Sequence, residues 1–195
     1  MRIRFIICMT LLTITTELFA DDDNFRFFRV DVSQFSADDV EDATGIHGHF
    51  SLPIKGRFYA TGSIADTEFS SDLDTDIDYS QWQLGFGYHW SLPTHSDIYV
   101  ELEANTQKLK ADGMSRDQRG AVLTLGLKYR FSEHMLIDLS GQYSDIDITG
   151  VDDRSGDFRL LLDGEIRLTD NWQVGLATSF GGEIQEIGLY TRFSF

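Results

Sequence analysis

The stretch Trp82-Gln83-Leu84-Gly85-Phe86-Gly87-Tyr88-His89-Trp90 alternates without a break: even positions are large and apolar or aromatic, odd positions polar or small. A period of two puts successive side chains on opposite faces of an extended strand, so one face of this strand is apolar along its whole length. Tryptophan stands at both ends of that face. An indole ring with an apolar body and a polar N–H suits a membrane interface better than a buried core.

Working outward, the same alternation returns in Ala121, Leu123, Leu125, Leu127, Tyr129 and Phe131, opposite Val122, Thr124, Gly126, Lys128 and Arg130. It returns again in Phe158, Leu160, Leu162, Gly164, Ile166 and Leu168, and in shorter copies around Val100, Leu139, Val174 and Leu189. No stretch of helical period competes with it. The pattern predicts strands over 25–35, 44–52, 56–67, 79–90, 96–107, 118–131, 135–146, 157–168, 172–180 and 185–195. Most come near the roughly 9 to 11 residues that a tilted strand needs to cross a bilayer.

Short turns at 51–55, 91–95, 132–134 and 169–171 alternate with longer connections, acidic taken together, near 36–44, 66–78, 108–118, 145–157 and 180–186. This asymmetry predicts an all-β fold: a transmembrane antiparallel up-and-down β-barrel of ten strands, or eight if the first pair is irregular, with both ends of the barrel in the periplasm. The competing soluble reading is a secreted β-sandwich or a lipocalin-like barrel, which would have to bury all the aromatic strand ends in its core.

Composition narrows the choice. The chain has 195 residues, 32 acidic and 16 basic, for a formal charge of −16, so nucleic acid is not an expected partner. Aromatic residues at 13% argue for a folded chain, and a mean hydropathy of −0.21 is too polar for a bundle of membrane helices. Arg2 and Arg4, the apolar run Phe5 to Thr16 and Leu18-Phe19-Ala20 before Asp21 read as a signal peptide over 1–20, leaving a barrel domain over 21–195. Cys8, the only cysteine, falls inside the apolar run, so neither a disulfide nor a lipidated cysteine is expected after cleavage.

If the apolar positions face lipid, the interior receives Glu101, Glu103, Lys128, Arg130, Asp138, Arg159, Asp163, Glu165, Arg167 and Arg192. Opposite charges can pair across a narrow barrel, and small barrels fill their interiors with side chains. General diffusion is not expected; a narrow gated channel is the alternative.

The final residues, Leu189-Tyr190-Thr191-Arg192-Phe193-Ser194-Phe195, resemble the terminal signature of outer-membrane proteins, with Thr191 as the one departure. The resemblance implies that Leu189, Phe193 and Phe195 act as an assembly signal for the barrel-assembly machinery, with periplasmic chaperones as transient partners. From Gly45 to Phe195 the chain resembles small OmpA/OmpX-like outer-membrane barrels. Within them it is similar to short proteobacterial barrels once described as precursors of a quorum-sensing peptide, through Gln81-Trp82-Gln83-Leu84-Gly85-Phe86-Gly87-Tyr88, Asn171-Trp172 and Arg192-Phe193-Ser194-Phe195. These motifs are structural. They imply the outer membrane and bring no catalytic residues.

Catalysis is weighed against known barrel enzymes. Omptin-like proteases need an Asp/His pair and an Asp pair near the outer rim, whereas here His89, His95 and His134 fall near short turns, and only His47 and His49 lie near an acidic segment, with Asp42 the nearest carboxylate in sequence. The His-x-Ser-Asn motif of lipid A deacylases is absent, and no Ser, His and Asn set of the phospholipase kind assembles on the predicted faces. The expectation is a non-enzymatic monomer without a cofactor.

Asp72, Asp74, Asp76 and Asp78 share the parity of Trp82, while Asp66, Glu68, Asp145 and Asp147 continue other outward faces. They predict an acidic collar in which Asp74, Asp76, Asp145 and Asp147 bridge through divalent cations to lipopolysaccharide phosphates. A solvated acidic loop face is the alternative. An EF-hand is excluded, since Ile77 stands where the loop glycine belongs and Gln83 where the bidentate Glu belongs. The expected function is therefore surface-related: envelope integrity, adhesion or interaction through acidic loops in contact with outer-membrane lipid. An enzyme acting on lipid or peptide ranks below the channel.

Overall fold

A computed structural model describes residues 23–37, 40–70, 76–111, 114–147, 155–181 and 184–195. A 3₁₀ turn, Asp23–Phe25, leads into ten strands. They are β1 (Phe27–Ala37), β2 (Val40–Lys55), β3 (Phe58–Ser70), β4 (Asp76–Leu92), β5 (Ser96–Ala111), β6 (Met114–Arg130), β7 (Met135–Asp147), β8 (Ser155–Arg167), β9 (Trp172–Phe180) and β10 (Ile184–Ser194). Each is antiparallel to its sequence neighbours, and β1 pairs with β10 to close the barrel. Closure leaves no sheet edge, as a lipid environment without hydrogen-bonding solvent requires.

The ten expected strands are present, but several run further. β5 continues to Ala111 and β6 begins at Met114, where the sequence suggested a connection over 108–118. Opposite charges explain the extension: Lys108 faces Asp117 and Asp78 faces Lys110 across the ladder, and such pairs support pairing beyond the bilayer. At the other end a correction is needed. Phe25 does not start the first strand; it belongs to the 3₁₀ turn and enters the barrel interior, because the chain turns at Arg26 before pairing with β10 begins at Phe27.

Face parity is inside-out. Outward Leu125 is 59% exposed and Leu102 61%, whereas inward Val122 is 1% exposed and Arg192 4%. So large an apolar exterior around a charged interior requires lipid as its surroundings. From Phe158 to Leu168 the outward face of β8 is apolar or glycine throughout. That length spans roughly 33 Å along the strand and about 25 Å along the membrane normal at a usual tilt, matching the apolar band of outer-membrane barrels. A girdle of aromatic rings borders the band at the short-turn end: Trp172 lies 5.1 Å from Phe193, Phe28 lies 5.9 Å from Phe195, and Tyr88 lies 4.5 Å from Trp90.

Three inward tyrosines lie across glycines on the neighbouring strand: Tyr59 on Gly87, Tyr99 on Gly126 and Tyr190 on Gly175. A Cβ at those glycines would stand only 2.1, 2.2 and 2.3 Å from the tyrosine ring. The phenol ring occupies the space that a side chain would need, which accounts for glycine in the inward faces of β4, β6 and β9.

Candidate functional site

The interior is the candidate site, and it is built in layers from the short-turn end. Asn24 and Phe25 seal that end. The Phe25 ring is stacked on His89 at 4.3 Å and lies 4.7 Å from Tyr59 and 5.9 Å from Tyr99. Polar contacts hold the backbone of the turn: Ser51 Oγ donates to the Phe25 carbonyl at 2.7 Å and Arg192 Nη2 to the Asn24 carbonyl at 3.0 Å. The Asn24 side chain donates to Asp97 at 2.7 Å and accepts from Arg130 at 3.0 Å. Contacts from β2, β5, β6 and β10 thus converge on two residues.

Above this seal, β6, β7, β8 and β10 supply two buried ion pairs, Lys128 to Asp138 at 2.9 Å and Arg192 to Glu165 at 3.0 Å. Tyr99 donates to Asp138 and Tyr59 to Glu101, each at 2.9 Å, and the Arg192 guanidinium lies over Phe27 at 4.1 Å. In the next layer Arg29 pairs with Asp163 across the barrel, bonds Asp31 at 2.7 Å and stacks over Tyr190 at 3.6 Å. Burial makes an unpaired charge costly, and Lys128, Asp138, Arg192, Glu165, Arg29 and Asp163 are each matched to a partner of opposite charge. The cavity enclosed by Arg29, Lys128, Asp138, Asp163, Glu165 and Arg192 measures about 30 Å³. It has room for water and for no larger solute.

All the residues expected inside have inward parity, and the structure joins Lys128 to Asp138 and Arg192 to Glu165. Sequence reading missed Asn24, Phe25, Arg29 and Asp31. Outward Val30 and Val32 carried the signal for the last two, since their parity turns Arg29 and Asp31 inward. Nothing in the local pattern marked Phe25 as leaving the wall.

The histidines spread through the barrel. His89 is buried against Phe25, while His95 and His134 are exposed in short turns. His47 Nδ1 lies 3.4 Å from Glu186 and His49 Nε2 3.6 Å from Asp31, carboxylates far away in sequence or on the preceding strand. The side chain of Asp42 lies outside the described residues.

Of the proposed collar, Asp145 is half-buried on the outward face, between Ala121 and Gly156. Asp74 lies outside the described residues, as do the side chains of Asp76 and Asp147. Among the described residues no three His, Cys, Asp or Glu side chains gather as metal ligands. At the carboxy-terminal end, Leu189 is outward and fully in the apolar band, whereas Phe193 and Phe195 join the aromatic girdle on the strand that closes the barrel.

No family model and no curated protein matches the chain. Solved structures do. It is similar to an outer-membrane channel from Pseudomonas putida F1, with 8% identity and a TM-score of 0.57 over 91% of this chain and 100% of that one. The NanC porin is similar at 8% identity and a TM-score of 0.53, over 86% of this chain and 98% of that one. The translocator domain of the autotransporter NalP from Neisseria meningitidis gives 9% identity and a TM-score of 0.50 over 87% of each chain. Identities this low establish a shared fold and carry no activity with them. With the apolar exterior, that fold makes the chain an outer-membrane β-barrel.

Proposed function

We propose that the chain is a closed, non-enzymatic barrel that serves the cell envelope through its outer surface and loop end, without passing solutes. The observation that carries this reading is the filled, charge-paired interior sealed by Asn24 and Phe25. Opening it means breaking buried pairs such as Arg192 with Glu165, and leaving one such partner uncompensated costs about 3 to 5 kcal/mol. Short turns face the periplasm in barrels of this kind, so the extended hairpins and their carboxylates face outward from the cell. The terminal strand with Leu189, Phe193 and Phe195 serves assembly, and the monomer is the working form. The finer likeness to short barrels once described as peptide precursors rests on wall and girdle residues, and supports a structural role.

Planar-bilayer recording tests the reading. The purified barrel is expected to be electrically silent, and steady unitary conductance would overturn it. The narrow gated channel is favoured by one observation: the seal hangs on the chain by Arg26 alone, so it can leave without unpairing a strand. Phe25→Ala separates the two readings, since only a barrel with an otherwise continuous path conducts once the ring is removed.

A further inference from the structure

The outward rim at the loop end is not uniformly acidic. Beyond the apolar band, β5 turns Lys108 and Lys110 outward and β6 turns Arg119 outward. Among the described residues these are the only cations on the outward face of the loop half; on the same face β3 presents Asp66, opposite Ser80, and β7 presents Asp145, opposite Ala121. Three basic groups on neighbouring strands of a chain with a charge of −16 form a localised feature.

Register places them at the height of lipid headgroups. Leu84, Ala104 and Ala121 form the last apolar row across β4, β5 and β6. The next row is Trp82, Thr106 and Arg119, and the one above it Ser80, Lys108 and Asp117. Tryptophan marks the boundary between hydrocarbon and headgroup, so Arg119 stands at that boundary and the lysines stand just above it. Lys108 and Arg119 are diagonal neighbours on one face of the sheet, about 7 to 8 Å apart and near enough to reach one anion together, and Lys110 is the next outward residue above Lys108.

We propose that Arg119, Lys108 and Lys110 form a binding site for the phosphate groups of the outer-leaflet glycolipid. This rests on the reading that the loop end lies in the outer leaflet, and is independent of whether the interior is closed. Phosphate is the fitting ligand because a guanidinium binds two of its oxygens at once, and a glycolipid is its fitting carrier because acyl chains attached below the phosphate meet the apolar wall there. Asp78 faces Lys110 and Asp117 faces Lys108, so these carboxylates compete with the lipid for the same ammonium groups. Exposed ion pairs are weak, and a more highly charged phosphate displaces them.

That competition supplies a test. The purified barrel in a neutral detergent is titrated with bisphosphorylated lipid A, with the same lipid after phosphatase treatment, and with phosphatidylglycerol, and binding is read by native mass spectrometry with a chelator present. Lipid A is expected to bind more tightly than the other two. K108Q/K110Q/R119Q should lose about tenfold or more in affinity, a change suited to the loss of charge-assisted contacts. D78N/D117N should bind more tightly than the unmodified chain. Undiminished binding by the triple variant overturns the site, as does weaker binding by D78N/D117N, which would make the cations partners of the wall alone. A requirement for a divalent ion would return the phosphate to a bridged mode and reject direct contact. Equal binding of phosphatidylglycerol would reject the outer-leaflet lipid as ligand. Unchanged heat-modifiable gel migration verifies that each variant is folded. A conducting barrel that still binds lipid A would overturn the closed interior and leave this site standing.

Discussion

The two ends of the barrel are built on different physical terms. At the short-turn end, rings and buried hydrogen bonds converge from distant strands onto Asn24 and Phe25, and an aromatic girdle surrounds them. At the loop end, strands continue past the bilayer as hairpins that set Lys108 opposite Asp117 and Lys110 opposite Asp78 on the solvated outward face. Packing and desolvated contacts dominate the first region. Solvated, exchangeable electrostatics dominate the second. A change of similar chemical size should therefore be felt strongly at one end and faintly at the other.

The largest expected effect is on assembly. Deleting Phe195 removes a ring that contacts Phe28 and Phe193 on the closing seam, and should leave most of the chain uninserted and protease-sensitive, measured by recovery in outer-membrane fractions. Normal insertion would mean that the girdle has no part in closure. Next comes Phe25→Ala, expected to cost about 3 to 5 kcal/mol in a urea refolding titration, against no more than about 0.5 kcal/mol for Asp78→Ala at the loop end. Equal losses would erase the contrast between the ends.

Within the wall, Leu125→Arg places a charge near the middle of the band and should cost about 2 to 4 kcal/mol, whereas Thr106→Arg at its upper edge should cost about 0 to 1 kcal/mol in the same titration. A comparable penalty at both positions would mean that the band extends further up than the rows around Trp82 indicate. The smallest contrast concerns glycine. Gly126→Ala drives a methyl group into Tyr99 and should cost about 1 to 3 kcal/mol, while Gly164→Ala, with nothing within 4 Å of its new Cβ, should be neutral or slightly stabilising. Tolerance of both would show that Tyr99 can leave its place over β6 freely.

The wall was legible in the sequence because lipid imposes one rule on every strand. Outward Leu127, Leu139 and Leu162 repeat it plainly on β6, β7 and β8, and their parity turned Lys128, Asp138 and Glu165 inward without further information. Where strands ended was harder to read: beyond the bilayer that rule lapses, and Lys108 opposite Asp117 extends a ladder that looks like a polar loop when only one strand is considered. Partners inside the barrel were not legible for a related reason. Arg29 meets Asp163, 134 positions away, and periodicity records which way a side chain points but not what stands across the lumen. Phe25 was misread because a lone aromatic beside a strand fits wall and seal equally well.

The seal also has a place in time. Its hydrogen bond from Arg192 to the Asn24 carbonyl spans 168 positions, and its other partners come from β2, β5 and β6. Contacts of such long range form late, because the whole intervening chain must be ordered before they can be made. Burial of Phe25 therefore dates the completion of folding, and not the first entry of strands into the bilayer. A fluorescent side chain at position 25 is a clock for the moment when the amino-terminal turn docks against β3, β4 and β5.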